Sequence, residues 1–287
     1  MQIDTLVLDG MNVFKTALST GRGLSNSNGI PTGGFFHGIR TLLAADKNFN
    51  FENAVVVWDR APYWRKKFYP EYKANRKQER TEQEIQEFQT QYEMFQAAVA
   101  ALGYTQIEAP GFEADDLAYT LSKELKGHTL LWSNDHDWRQ LVSKTCFVYS
   151  HRVKQWIDTT NFQKVTGTEN PEMFTKIKII AGDGGDNIIG VAGVGPKKAE
   201  KFLKGTLSGK LVPEIEAFIE DGRYALNELL VDLSKCPNDP REIWQIKEGT
   251  PDPEAFKYLL NEAEITSFNV EQWKRIIEAN RDRKFAM

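Results

Sequence analysis

The sequence predicts an α/β protein, a mostly parallel sheet with crossover helices followed by a helical lobe. Three observations lead there. Apolar, β-rich runs at 3–8, 54–58, 129–132 and 146–149 alternate with helical patterns, which is the order of a sheet built from βαβ units. Beyond Thr168 such runs thin out and helical patterns dominate. Acids close the first two runs, as TLVLD at Asp9 and AVVVWD at Asp59. The expected division is a core over 1–170, interrupted by an insert at about 60–100, and a helical part over 171–287.

Taken in order, the four runs supply about four parallel strands. The second is followed by Arg60, Arg65, Lys66, Lys67, Lys73, Arg76, Lys77 and Arg80, against Glu71 and Glu79 alone, with Tyr63, Trp64, Phe68, Tyr69 and Tyr72 interleaved. Cations among aromatics suit paired phosphates and stacked bases or sugars; a solvated charged segment is the plainer alternative. At Thr81 the sequence TEQE offers a capping box, and Ile85, Phe88, Tyr92, Phe95, Val99 and Leu102 recur at helical spacing up to Gly103. The stretch EADDLAYTLSKEL opens a further helix on Glu113, Asp115 and Asp116, where the N-terminal dipole offsets part of their repulsion. Helices are expected over Pro171–Ala181 and Pro196–Leu203. Between them, Gly190, Gly193 and Gly195 predict a tight hairpin, with Pro196 suited to the first turn of the next helix. Backbone N–H groups there, with Lys197 and Lys198, can hold a phosphate without reading sequence.

Length and composition set the class. At 287 residues, 41% hydrophobic and 26% charged, the chain fits one large or two modest soluble domains. No signal region or membrane-length apolar run is read, so a cytoplasmic location is expected. Cys146 and Cys236 lie far apart without CxxC spacing, which gives neither a disulfide framework nor a zinc site. A net charge of −4 argues against indiscriminate nucleic-acid binding, although the basic insert concentrates positive charge locally.

The acids carry the chemistry. Seven stand in GFEADD (111–116), SNDHD (133–137) and GDGGDN (182–187), and Asp9 and Asp59 close strands. Parallel strands deliver their carboxyl ends to a common crevice, so such acids meet. Two charges roughly 4 Å apart repel by about 4 kcal/mol at an effective dielectric near 20, and a dense cluster therefore needs cations or protons. Oxygen-only ligands suit Mg²⁺ or Mn²⁺. A single Asp after a strand is commonly a turn former or helix cap; nine in these positions are better read together. An EF-hand is excluded, because the sixth and twelfth positions counted from Asp135 are Gln140 and Cys146, and from Asp183 Ile188 and Val194. A Walker A loop fails because Pro196 follows Gly195, and a dinucleotide fingerprint fails at Lys198.

The motifs LDGMN (8–12), WDRAPYWRKKFYPEYKANR (58–76), GFEADD, SNDHDWRQLV (133–142) and GDGGDNIIGVAGVGPKKA (182–199) occur in order over about residues 3–205. In them the chain resembles the 5′-nuclease, or flap endonuclease, family, particularly its bacteriophage members and the 5′-nuclease domain of bacterial DNA polymerase I. The resemblance implies a PIN-like core, a helical arch over the active site, and a helix-three-turn-helix module at about 173–205 that grips duplex DNA, with a potassium ion at its hairpin. It implies a first metal among Asp9, Asp59, Glu113, Asp115 and Asp116, and a second among Asp135, Asp137, Asp183 and Asp186. Lys73 and Arg76 match the basic residues at the base of the arch, which approach the scissile phosphate. DNA contacts are expected from Arg65, Lys66, Lys67 and Tyr72, and from Gly190, Gly193, Gly195, Lys197 and Lys198. Met11-Asn12 followed by Val-Phe-Lys departs from the order many relatives carry after DG.

The expected activity is metal-dependent 5′-3′ exonuclease and flap-endonuclease cleavage in replication. Its substrates are branched, nicked or 5′-ended duplexes, with RNA–DNA hybrids and RNA-primer removal compatible; replication proteins are candidate partners and a monomer is the default. Two alternatives stand: a PIN-type ribonuclease, against which the hairpin and basic insert weigh, and a non-catalytic structure-selective DNA-binding protein, against which the full acidic set weighs.

Overall fold

The structure is a computed structural model that describes residues 2–76 and 81–280. Its first half alternates strand and helix: β1 (Ile3–Asp9), α1 (Gly10–Thr20), α2 (Gly33–Asn48), β2 (Phe51–Trp58), α3 (Arg65–Phe68), α4 (Glu82–Ala101), β3 (Thr105–Glu108), α5 (Ala114–Glu124), β4 (Thr129–Trp132), β5 (Cys146–Ser150) and β6 (Gln155–Ile157). The order across the sheet is β6-β5-β4-β1-β2-β3, extended at the β3 edge by β9 (Gln245–Lys247). Strands β1 to β5 run parallel, while β6 and β9 pair antiparallel at the two edges.

Both faces of the sheet are covered, which is why its strands read as continuous apolar runs. Leu6, Leu8, Val56, Trp58, Leu130 and Trp132 face one core with α1, α2 and α4. Val7, Val55, Val57, Leu131 and Val148 face the other, beneath Leu117, Ala118 and Leu121 of α5. Because β1 is flanked by β2 on one side and β4 on the other, the strand order reverses at β1. A crevice outside the carboxyl ends follows from that reversal.

The remaining chain forms α6 (Phe162–Thr166), α7 (Pro171–Ala181), the two-residue strands β7 (Gly182–Asp183) and β8 (Ile188–Ile189), α8 (Pro196–Leu203), α9 (Leu211–Glu220), α10 (Arg223–Val231), β9, α11 (Pro253–Glu262) and α12 (Val270–Asn280). Ile177, Ile180, Val194, Ala199, Ile215 and Phe218 give α7, α8 and α9 a core of their own. The hairpin between α7 and α8 depends on glycine. Gly182 has φ +76°, and a Cβ on Gly190 would lie 2.2 Å from the Ala181 carbonyl carbon. Gly195 caps α8 with Pro196 in its first turn.

Two expectations need correction. The readable strands numbered about four, but five are parallel and seven share the sheet; β3 is TQIE, whose polar residues break the apolar run. The second expectation is a helical lobe over 171–287. Instead the chain returns to the core: β9 pairs with β3, and Phe256, Leu260, Trp273, Ile276 and Ile277 pack in the cluster of α1, α2 and α4. Among the described residues, no helix is long and apolar enough to cross a membrane.

Candidate functional site

The acids arrive at the crevice from separate elements. Asp9 ends β1 and caps α1, accepting from Asn12 N–H at 2.9 Å and from Ser133 Oγ at 2.8 Å. Asp59 follows β2 and accepts from Ala114 N–H at the start of α5. Glu113 caps α5, and Asp115 and Asp116 stand in its first turn. Asp135 and Asp137 lie beyond β4, where the Asp137 N–H bonds Asp135. Asp183 ends β7, and Asp186 occupies the turn before β8.

Burial, with mutual repulsion added, raises several of their pKa values. Burial pushes Asp9 up to about 7, with the Asp59 and Asp135 charges adding to it. Asp59 is raised by burial, then by Glu113. Asp115 is raised well above the carboxylate range by burial and the Asp135 charge, and Asp135 by burial and Asp137. Asp186 is raised by burial with Asp137 and Asp183 contributing, which outweighs its two cationic neighbours.

Neutralisation is uneven. Lys73 bonds Glu113 through a short contact and lies 3.7 Å from Asp186; Arg76 bonds Asp186. Lys178 bonds Asp137 and sits 2.8 Å from Asp183. Burial works against the charge on Lys73 and Lys178, but Glu113 and Asp186 hold the first protonated, and Asp137 and Asp183 the second. Glu113 and Asp183, in turn, are lowered despite their burial. Among the described residues, Asp9, Asp59, Asp115 and Asp135 have no cation at ion-pair distance. Carboxylates left so, with Asp9 buried and the other three half-buried, are a donor set that fits a divalent ion. Asp137, Asp183 and Asp186 each place an oxygen within 4.8 Å of the others, a second such set.

Three expected roles are corrected. Arg65 does not face solvent: its side chain is 2% exposed and pairs with Glu113 at 2.9 Å and Asp116 at 2.8 Å, so its charge is spent inside. Asp116, expected as a metal ligand, has one oxygen on Arg65 and the other shared among Arg65, Trp64 Nε1 and the Glu113 N–H. Asp116 is thereby committed mainly to holding Arg65 and the start of α5, with Arg65 neutralising its charge. Tyr72, expected to stack a base, is buried, its hydroxyl bonding Glu113 and Asp186 and its ring facing Arg65 and Lys73.

Lys66 and Lys67 are exposed on α3, away from the acid pairs. Lys77, Glu79 and Arg80 lie outside the described residues. On the hairpin, Gly193 and Gly195 are exposed with Lys197 and Lys198, while Val191 and Val194 anchor the turn beneath them. Lys198 donates to the Gly193 carbonyl at 2.7 Å.

Sequence reasoning missed Lys178, Ser133 and Trp138, whose indole N–H donates to Asp115 at 2.7 Å. For Lys178 a signal existed: it lies between Ile177 and Ile179, both buried, so its ammonium has to meet charge at the end of α7. The segment 71–76 is also tied to the GDGGDN turn. Asn75 bonds Gly184 O, Arg76 bonds Gly185 O, the Lys73 N–H bonds Asp186 O, and Asn187 bonds Glu71 O. Lys73 holds φ +57° there. Such conformations cost about 1–3 kcal/mol and cluster where function needs them.

The profile of the 5′-3′ exonuclease, N-terminal resolvase-like domain family matches residues 4–167. Thermostable DNA polymerase I of Thermus caldophilus is 31% identical over 284 residues, covering 91% of this chain and 32% of that protein. The chain thus spans about a third of the length of the curated polymerase relatives it matches. Flap endonuclease Xni of Shewanella loihica is 30% identical over 205 residues, covering 69% of this chain and 75% of that one. Among solved structures, the bacteriophage T5 flap endonuclease, in a pseudo-enzyme-product complex with DNA and metal ions, superposes with a TM-score of 0.68 at 22% identity, covering 97% of this chain and 100% of that one. That likeness shows the fold.

Proposed function

Because the chain belongs to the 5′-3′ exonuclease family, we propose that it hydrolyses DNA phosphodiesters near free 5′ ends of branched, nicked or flapped duplexes, as a 5′-3′ exonuclease and flap endonuclease in replication. The observation that carries this reading is the convergence of Asp9, which is buried, with Asp59, Asp115 and Asp135, which are half-buried, all without ion pairs among the described residues, beside a second acid set at Asp137, Asp183 and Asp186. Asp9, Asp59, Glu113, Asp115 and Asp135 would hold a first divalent ion, and Asp137, Asp183 and Asp186 a second, Mg²⁺ or Mn²⁺ by oxygen-only donation; Asp135, expected from the sequence in the second group, is assigned here to the first because, like Asp9, Asp59 and Asp115, it has no cation at ion-pair distance among the described residues. Such ions supply Lewis-acid polarisation of water and phosphate oxygens.

The chain's own side chains supply the rest. Lys73 and Arg76 sit at the rim of the acids on a segment fastened to the GDGGDN turn, so both cations are preorganised for negative charge developing on a phosphate. Each would exchange a carboxylate oxygen for a phosphate oxygen. The hairpin at 190–195 offers exposed backbone beside Lys197, which supports sequence-independent grip on a duplex. The Gly193 carbonyl accepts from Lys198 at 2.7 Å, which supports the reading that potassium binds at this turn when DNA is held. Lys66 and Lys67 are proposed as backbone contacts. Action on RNA–DNA hybrids, a cytoplasmic site of action, contacts with replication proteins and a monomeric state belong to the same reading.

Two variants test it under single-turnover conditions on a 5′-flapped duplex. Asp59→Asn should slow cleavage by about a hundredfold or more, the scale on which losing one electrostatic stabiliser acts. Lys73→Ala should slow the chemical step far more than it weakens duplex binding. Near-wild-type rates in Asp59→Asn would remove the metal reading; a Lys73→Ala defect confined to binding would make that lysine an anchor only.

A further inference from the structure

Lys178 distinguishes the two acid sets. Its ammonium bonds Asp137 and lies 2.8 Å from Asp183, inside the group whose oxygens stand within 4.8 Å of one another together with Asp186. The set around Asp9, Asp59, Asp115 and Asp135 has no side-chain cation at ion-pair distance among the described residues. One set is therefore open to a cation, and the other already contains one.

Resting on the two-ion reading above, we propose that Lys178 is a built-in placeholder for the second divalent ion, neutralising Asp137 and Asp183 until an incoming ion displaces its ammonium. The geometry permits the exchange. Ile177, Ile179 and Ile180 are buried and fix the backbone of α7. Lys178 lines an open cleft of about 610 Å³ together with Asn12, Thr16, Asn134 and Arg152, which gives its ammonium space to move into once released. Its side chain is 18% exposed, so the ammonium already touches that cleft. Every acid of the second site is ion-paired and must be released before that site fills, whereas at the first site Glu113 alone is held, by Arg65 and Lys73, and the other four acids have no cation at ion-pair distance among the described residues. Loading is consequently ordered, and Lys178 sets the ion concentration at which the second site fills.

The test is Mn²⁺ titration by calorimetry without nucleic acid, on the full chain and on Lys178→Met and Lys178→Gln, with thermal unfolding in EDTA and in Mn²⁺ alongside. Lys178→Met should bind the second ion about tenfold more tightly or better, since binding no longer has to displace a competing cation, and leave the first within about twofold. In EDTA both variants should melt below wild type, because Asp137 and Asp183 lose their counter-charge, and Mn²⁺ should close that gap. A structural lysine would give a deficit that Mn²⁺ leaves in place. Two ions bound with second-site affinity unchanged or weakened in the variants would overturn the placeholder alone. Absence of Mn²⁺ binding in wild type and variants would overturn it together with the two-ion reading.

Discussion

The buried guanidinium of Arg65 shows how a residue acquires its role from partners that sequence spacing does not display. It joins Glu113 and Asp116 of α5 to the Leu230 carbonyl of α10, stacked 4.5 Å above the Trp64 ring. Removing it leaves buried Asp116 without its counter-charge and Glu113 with Lys73 alone, a loss of about 3–5 kcal/mol. Arg65→Met should therefore lower the free energy of unfolding by that amount in a denaturant titration, and Arg65→Lys should recover only part of it, because one ammonium cannot reproduce the planar fork. A change below about 0.5 kcal/mol in Arg65→Met, the scale of ordinary surface substitutions, would return the residue to the exposed role first read for it. The acids were legible because Asp9 and Asp59 follow apolar runs directly; Arg65 and Tyr72 were not, because a cation or tyrosine in an ion-rich segment reads alike whether it points at solvent or at a carboxylate.

At the level of elements, periodicity conveyed what local packing decides. The Thr81 capping box forms as read, with Thr81 and Glu84 bonding each other's backbone, and Phe88, Tyr92 and Phe95 of α4 gather around Phe14 of α1. Thr81→Ala should lower stability by about 1 kcal/mol, measured by thermal unfolding. The hairpin between α7 and α8 is a stricter case. Gly190→Ala would drive a methyl group into the Ala181 carbonyl, so we expect weakened duplex binding with the cleavage step on bound substrate largely retained. Unchanged duplex affinity in that variant would remove the hairpin from the interface. Elements that escaped the sequence were those stabilised by pairing rather than pattern: β3 is four residues with a single isoleucine, and β9 has every residue exposed and is held by its ladder to β3.

For the molecule as a whole, the parallel sheet and the family resemblance read from five ordered motifs are borne out, because strand-end acids and strand order are linked: reversal at β1 places the ends of β1, β2 and β4 around one crevice. The return of the C-terminal helices to the core was not legible, since an amphipathic helix does not name the surface it covers. Trp273, 2% exposed and packed on Phe256, fastens α12 to the cluster around Phe14 and Phe35. Trp273→Ala should cost about 3–5 kcal/mol and lower a single unfolding transition; loss confined to a separate, minor transition would make the C-terminal helices an independent unit. In the proposed function, this architecture gathers acids to cut DNA at a 5′ branch with divalent ions. Cleavage of a 5′-flapped duplex, labelled at either end, with Mg²⁺ and with EDTA in parallel, is the direct test: metal-dependent cutting near the junction is expected, and intact binding without cleavage in Mg²⁺ or Mn²⁺ would overturn the proposal.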